Sequence, residues 1–332
     1  MSNSPYSLFS LIRGEHDAWL WEKARTLRGQ YWNRSVFLRG IVEFSNYCRQ
    51  NCLYCGLRRE NTLLARYRLS PDEIFAQARI VAELGFGTLV LQSGEDPALD
   101  AVALATLISR IKDHLGLAVT LSLGERPHGD YAMWRKAGAD RYLLKMETFA
   151  RDAHTDLRPG KSVADRLRAY QTLRDLDYEA GSGLIGGLPG ETPERLLRDL
   201  EQLADLKPDM LSISPFIPHP ETPLAHHPAL EAEAALRLMA IARLMVPSAH
   251  IPVTSALSLR GGEIRGKALE VGDVLMPSLT PERVREQYNI YPGKNLSSLE
   301  PQARAAAMRD SLHTYGFETP PGPGSAWRVL GN

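Results

Sequence analysis

A single pattern repeats along this chain: a short β-rich run, a loop, then an amphipathic helical stretch. The runs are GIVEFS (40–45), TLVLQSGE (88–95), LAVTLSLGE (117–125), RYLLKMET (141–148), YEAGSGLIGG (178–187), MLSISPF (210–216), IPVTSAL (251–257) and DVLMPSL (273–279). Between them, DAVALATLISRIKDHLG (100–116), TPERLLRDLEQLADLKP (192–208) and LEAEAALRLMAIARLM (230–245) space their apolar residues at helical intervals. At SPDE (70–73), Ser70 is an N-cap, Pro71 takes the first helical position and Glu73 completes a capping box. Eight strands alternating with helices predict the α/β class and a (β/α)8 TIM-type barrel. No Pro/Gly/Ser-rich linker divides the chain. Residues 1–39 read as a helical lead-in, and 40–332 as the barrel with an irregular C-terminal segment, ETPPGPGSAWRVLGN (318–332).

In such barrels function gathers where strands end. Gln92, Ser93, Gly94, Glu95 and Asp96 follow the second run, and Ser122 and Glu125 close the third. Lys145, Glu147 and Thr148 close the fourth, Ser212 and Ser214 lie on the sixth, and Thr254 and Ser255 end the seventh. These small hydroxyls and carboxylates suit either a lined cavity or the caps and turns that also belong there.

All the cysteines of the chain, Cys48, Cys52 and Cys55, fall just after the first run, in NYCRQNCLYCG. The spacing C-x3-C-x2-C is too tight for a disulfide framework and leaves one thiol over. Thiolates this close can converge on one metal centre. Structural zinc takes four protein ligands and no fourth is evident. An iron–sulfur cube held by three cysteines keeps one iron open to a small ligand. Lys+Arg and Asp+Glu balance at 39 each, so no net charge favours nucleic acid or an anionic membrane. The opening MSNSPYSLFSLIRGEHDAW has no signal-peptide pattern, and no apolar run approaches the ~18 residues of a membrane span. Unpaired thiols with no secretory signal predict a reducing, cytoplasmic setting.

The cysteine spacing, with Tyr54 before the last thiol, resembles the signature of the radical S-adenosylmethionine (SAM) enzymes. That resemblance implies a [4Fe–4S] cluster on Cys48, Cys52 and Cys55, with SAM bound at the open iron and cleaved to a 5′-deoxyadenosyl radical. Further segments extend it. NYCRQNCLYCGLRREN, LVLQSGED, VTLSLGE, ADRYLLKMET, GLPGET, SPFIPHPETPLA, IPVTSA and YPGK together resemble the HydE family of [FeFe]-hydrogenase maturases, a group that also contains biotin synthase and methylornithine synthase.

The HydE resemblance implies SAM contacts at Tyr54, Gln92, Ser93, Gly94, Ser122, Glu147 and Arg166, and adenine packing at Leu184 and Ile185. For Arg166 the choice is a guanidinium clamp on a carboxylate or a solvated helix face. Substrate contacts are implied at Arg141, Lys145, Met210, Thr254, Ser255, Tyr288 and Tyr291. Arg141 and Lys145 are four apart, which on a strand puts both on one face. Some family members carry Arg-His where this chain has Lys145-Met146, and Lys is a point charge where Arg is a fork. Several carry further cysteines for an accessory cluster; this chain has none after Cys55. The implied substrate is a small organometallic molecule, an iron–cysteine complex with carbonyl and cyanide ligands. The implied partners are an electron donor such as a ferredoxin or flavodoxin and the other hydrogenase maturases. A different radical SAM reaction and a non-catalytic cluster carrier are the rival readings.

GSGLIG (181–186) satisfies G-x-G-x-x-G but sits on the fifth run, followed by Pro189 and Gly190 rather than a helix, so a nicotinamide fingerprint is rejected. His219, His226 and His227 lie in a proline-rich stretch that reads as a surface loop.

Overall fold

The computed structural model describes residues 4–259, 261–294 and 299–330. Two helices, Leu8–Ile12 and Asp17–Trp32, precede the sheet. The longer one packs against the helix Ala232–Met245, and Arg237 clamps Asp17 with two hydrogen bonds of 2.7 Å. Seven strands follow: β1 Phe37–Ser45, β2 Thr88–Ser93, β3 Ala118–Ser122, β4 Arg141–Leu143, β5 Glu179–Gly186, β6 Met210–Pro215 and β7 Val274–Leu275. They form one parallel sheet in the order β6-β5-β4-β3-β2-β1-β7, curled into a partial barrel with helices outside. β1 and β2 are buried almost along their whole length, as strands of a parallel sheet covered on both faces are, and their few polar side chains, such as Arg39 and Glu43, lie inside.

Helix starts follow local chemistry. Ser70 and Glu73 form the predicted capping box at the head of the helix Pro71–Glu83, worth about 1 kcal/mol. Thr192 caps Pro193–Asp205, and Asp100 accepts from two backbone N–H groups of Ala101–Leu115.

The seventh expected strand, 251–257, is not a strand. Residues 250–253 join the two sheet edges by single parallel bridges, Met210 to His250 and Pro252 to Val274. Pro252 has no N–H to extend a ladder, and the chain turns directly into the helix Ser255–Ser258. This edge is held instead by a buried polar knot. Asp273, fully buried, accepts from Arg243 (2.7 Å), from the Ile251 N–H (2.8 Å) and from His250.

The C-terminal segment is ordered by the barrel's N-terminal end, which it covers. Thr88 donates to the Pro323 carbonyl (2.8 Å), Arg39 and Arg141 donate to that of Gly324 (2.9 and 3.3 Å), and the Ala326 N–H donates to Glu179 (2.8 Å). Four strands and the tail thus meet through hydrogen bonds across that sector of the barrel's lower end. Among the described residues, no helix is long and apolar enough to cross a membrane.

Candidate active site

The loop after β1 carries the cysteines, and it is shaped by side chains that bond backbone. The Asn46 amide donates to the carbonyls of Ala65 (2.8 Å) and Gln287 (2.9 Å), while its oxygen accepts from the Tyr67 N–H (2.8 Å). Arg66 donates to four carbonyls, those of Asn46, Leu57, Arg58 and Asn61. A guanidinium spent on carbonyls fixes a loop without needing a ladder. At β2, Gly94 approaches the same loop so closely that a Cβ there would stand 2.3 Å from the Tyr47 oxygen and 2.8 Å from Cys48 Cβ. Gly94→Ala is therefore expected to displace Cys48 and lower iron per chain after reconstitution by at least about tenfold, as outer contacts of metal ligands do. Iron quantification on the folded variant checks this.

Above β1–β6 lies a cavity of about 530 Å³. Cys48, Cys52, Cys55 and Tyr54 line it, with Gln92, Ser93, Gly94, Ser122, Lys145, Glu147 and Arg166. Thr254, Ser255, Tyr288 and Tyr291 line it as well, the segment around Tyr288 packing on the cysteine loop through the Gly56 N–H to the Ile290 carbonyl (3.1 Å). The hydroxyls of Ser255 and Tyr291 bond each other, and Thr254 Oγ1 is buried without a partner.

Three expected residues are elsewhere. Arg141 sits one layer lower, in an ion pair with Glu179 (2.8 Å) and bonded to Thr88. It shares the inward face with Leu143 and Lys145, as its spacing predicts, but it stands at the foot of β4, below the cavity that those two line. Met210 is buried in the same lower layer, its sulfur 3.3 Å from an Arg39 nitrogen. Leu184 points away from the cavity, and by strand alternation its neighbour Ile185 lines it. His219 is a further correction. It is buried, accepts from the Glu221 N–H (3.1 Å) and lies against Gly56 of the cysteine loop, while His226 is exposed.

The electrostatics are concentrated in three groups. Lys145 Nζ lies 2.9 Å from Glu147, whose carboxyl burial would raise but which Lys145, then Arg166, hold below the usual range. Glu147 has a positive φ of 67°. Holding a non-glycine residue at positive φ costs roughly 1 kcal/mol or more, the kind of strain found at functional positions. Arg166 is no solvated helix residue: it is buried, donates to the Lys145 carbonyl (2.6 Å) and pairs with Glu125 (2.8 Å). Burial alone would raise the Glu125 carboxyl, but Arg166, Lys161 and Arg158 bring it down to about 2. The third group was missed from sequence. Glu43 on β1 is fully buried, accepts from Ser278 (2.7 Å) and Thr280, and pairs with Lys294. A carboxylate inside the apolar run GIVEFS was its available signal. Lys294 Nζ lies 4.6 Å from the centre of the Tyr288 ring.

Residues 42–203 match the Radical SAM superfamily, and 212–260 match the Biotin and Thiamin Synthesis associated domain. The [FeFe] hydrogenase maturase subunit HydE of Thermotoga maritima is 45% identical over 285 residues, covering 85% of this chain and 81% of that protein. The chain belongs to the HydE family of radical SAM enzymes. The 3-methylornithine synthase of Methanosarcina acetivorans is 29% identical over 83% of this chain and 78% of its own. Its fold is that of methylornithine synthase (PylB), with a TM-score of 0.80 at 24% identity over 95% of this chain and 90% of that one. The maturase HydG also shares the fold, with a TM-score of 0.75 at 20% identity over 90% of this chain and 67% of that one.

The donor set fits the cluster this family implies. The three thiols are unpaired and partly exposed to the cavity. Among the described residues, no group of three His, Cys, Asp or Glu side chains is arranged to hold a metal ion. Three free thiols in one loop facing a cavity match a cube whose fourth iron stays open to a small ligand. Burial pushes the Cys48 thiol up to about 11 and raises that of Cys55 further.

Proposed function

We propose that this enzyme is a HydE-type maturase acting on an iron–cysteine complex with carbonyl and cyanide ligands, on the way to the di-iron subsite of [FeFe]-hydrogenase. The observation that carries the reading is one continuous cavity lined both by the cysteine loop and by the polar groups of Thr254, Ser255, Tyr291 and Lys294. The 45% identity to a HydE over most of both chains supports it.

In this reading Cys48, Cys52 and Cys55 would hold a [4Fe–4S] cluster, which would supply the electron for reductive cleavage of SAM to a 5′-deoxyadenosyl radical. Gln92, Ser93 and Gly94 present a strand end to the SAM amino group. Arg166 is already held rigid by Glu125 and the Lys145 carbonyl, so binding a carboxylate costs it little side-chain entropy. Glu147 accepts hydrogen bonds from SAM hydroxyl or amino groups. On the substrate side, Lys145 meets negative charge, while Thr254, Ser255 and Tyr291 offer hydroxyls. Leu143, Ile185, Val253 and Leu275 on the walls keep water from the reacting carbon. A cytoplasmic ferredoxin or flavodoxin supplies the electron, and a partner maturase supplies the iron complex.

The test is anaerobic reconstitution followed by a SAM-cleavage assay, with and without a synthetic iron–cysteine carbonyl cyanide complex. The expected result is 5′-deoxyadenosyl transfer that depends on the complex. Cleavage indifferent to the complex, with no adenosylated product, would point instead to a family member with another substrate.

A further inference from the structure

Arg158 follows the helix Arg151–Leu157 as its C-cap, and its side chain is only 4% exposed. Its chain is tied to the cysteine loop by a backbone hydrogen bond from the Leu53 N–H to the Leu157 carbonyl (2.8 Å). Leu157 also packs with Leu188 and Phe216, with Tyr54 against them. This places the guanidinium beside the cysteine loop, on the wall of the same cavity that Cys52 lines.

The rest of its surroundings do not neutralise it. One N–H reaches His154 Nε2 at 3.1 Å. His154 Nδ1 faces the Thr148 carbonyl at 3.2 Å. A carbonyl only accepts and a guanidinium only donates, so the imidazole is fixed with its proton on Nδ1 and its lone pair on Nε2. That ring is neutral. Arg158 Nε is buried without a hydrogen-bond partner. Its nearest carboxylates are Glu125 at 3.5 Å and Glu95 at 3.9 Å, and both are shared. Glu125 is closer to Arg166 (2.8 Å) and Lys161 (2.9 Å), and Glu95 to Arg49 (3.3 Å). Four cations, Arg49, Arg158, Lys161 and Arg166, thus converge on two carboxylates, and Arg158 is the least well paired. A surplus buried positive charge beside the cysteine loop calls for an anion there.

We propose that Arg158 tunes the iron–sulfur cluster: its poorly compensated charge, buried beside the cysteine loop on the wall of the same cavity, raises the cluster's reduction potential. The inference rests on the reading in which the cysteines hold a cluster. Positive charge near a cluster stabilises the reduced, more negative form, and the potential rises accordingly. The neutral His154 serves as an anchor that orients the guanidinium without cancelling its charge.

The experiment compares reconstituted wild-type chain with Arg158→Gln and Arg158→Lys, reading iron per chain and the potential from a redox titration followed by electron paramagnetic resonance, without SAM. Arg158→Gln is expected to lower the potential by a tenfold change in the reduction equilibrium, 59 mV for one electron, and Arg158→Lys to restore most of it. A Gln variant with full iron and the wild-type potential overturns the proposal, as does an equal shift in both variants. Should the Gln variant load no iron, Glu125→Gln is titrated instead. With Arg158 intact and one neighbouring carboxylate neutralised, the potential should rise, and an unchanged value overturns the proposal. Absence of iron from the wild-type chain would sink the cysteine-ligand reading itself.

Discussion

Cys52→Ala is expected to yield a folded protein that retains almost no cluster and no measurable SAM cleavage. No fourth cysteine exists in the chain to replace the lost ligand. Outer-sphere changes at metal sites already cost about 10–100-fold, so loss of a ligand should exceed 100-fold in both iron retention and cleavage. The fold should survive, because the loop is held by groups other than Cys52. Arg66 bonds four of its carbonyls, and Leu53 and Gly56 donate from the backbone to Leu157 (2.8 Å) and Ile290 (3.1 Å). Circular dichroism monitors the fold, and absorbance near 400 nm with iron analysis reports the cluster, roughly as for any thiolate-held iron. A variant with native iron content and cleavage would refute the ligand assignment.

The largest expected loss of stability comes from Asp273→Ala. This carboxylate is fully buried, with Arg243 at 2.7 Å, and Arg243 is itself fully buried. Removing one partner of a buried pair leaves the other charge uncompensated and costs about 3–5 kcal/mol. Here it also frees the Ile251 N–H and His250. The damage should centre on the seam between β6 and β7, where only single bridges join the strands. Denaturant unfolding measures the loss. The pH dependence carries a definite sign. Burial opposes ionisation of Asp273, but His250 and Arg243 win and hold the carboxyl down to about 2. Its folded value lies below the unfolded one, near 3.9. Its contribution is therefore fully present above about pH 4 and is lost as the pH falls through about 2. The wild-type chain should lose stability steeply across that window and the variant less so. Equal slopes would argue against Asp273 as the titrating group.

Sequence reading located the sheet because parallel strands advertise themselves as apolar runs between amphipathic helices. It failed at 251–257, where composition is that of a strand but Pro252 and the helix Ser255–Ser258 cut the ladder short. The cysteine loop was legible because three thiols at that spacing admit few structures. Arg141 was misplaced in height and not in face: it points inward with Leu143 and Lys145, but at the start of β4, where Glu179 and the C-terminal tail take up its charge and donors. Leu184 was misplaced by parity: Gly181 and Gly183 point inward on β5, and Ile185 continues their face. His219 looked like loop polarity but is buried under the cysteine loop, a contact between residues more than 160 positions apart that no local pattern encodes. Glu43, Lys294 and Arg158 were passed over for the same reason, since each gains its meaning from partners distant in sequence.

The tail that crosses the barrel's lower end has a kinetic consequence. Gly322 packs its carbonyl against Gly87 so tightly that a Cβ at Gly87 would stand 1.9 Å away, and Arg39 and Arg141 are bonded to the next turn of that tail. Traffic in and out of the cavity is thereby turned away from that sector of the floor. A floor pinned by the chain's own tail yields only when the tail lifts, so a leak on that side is as rare as the breaking of several hydrogen bonds at once.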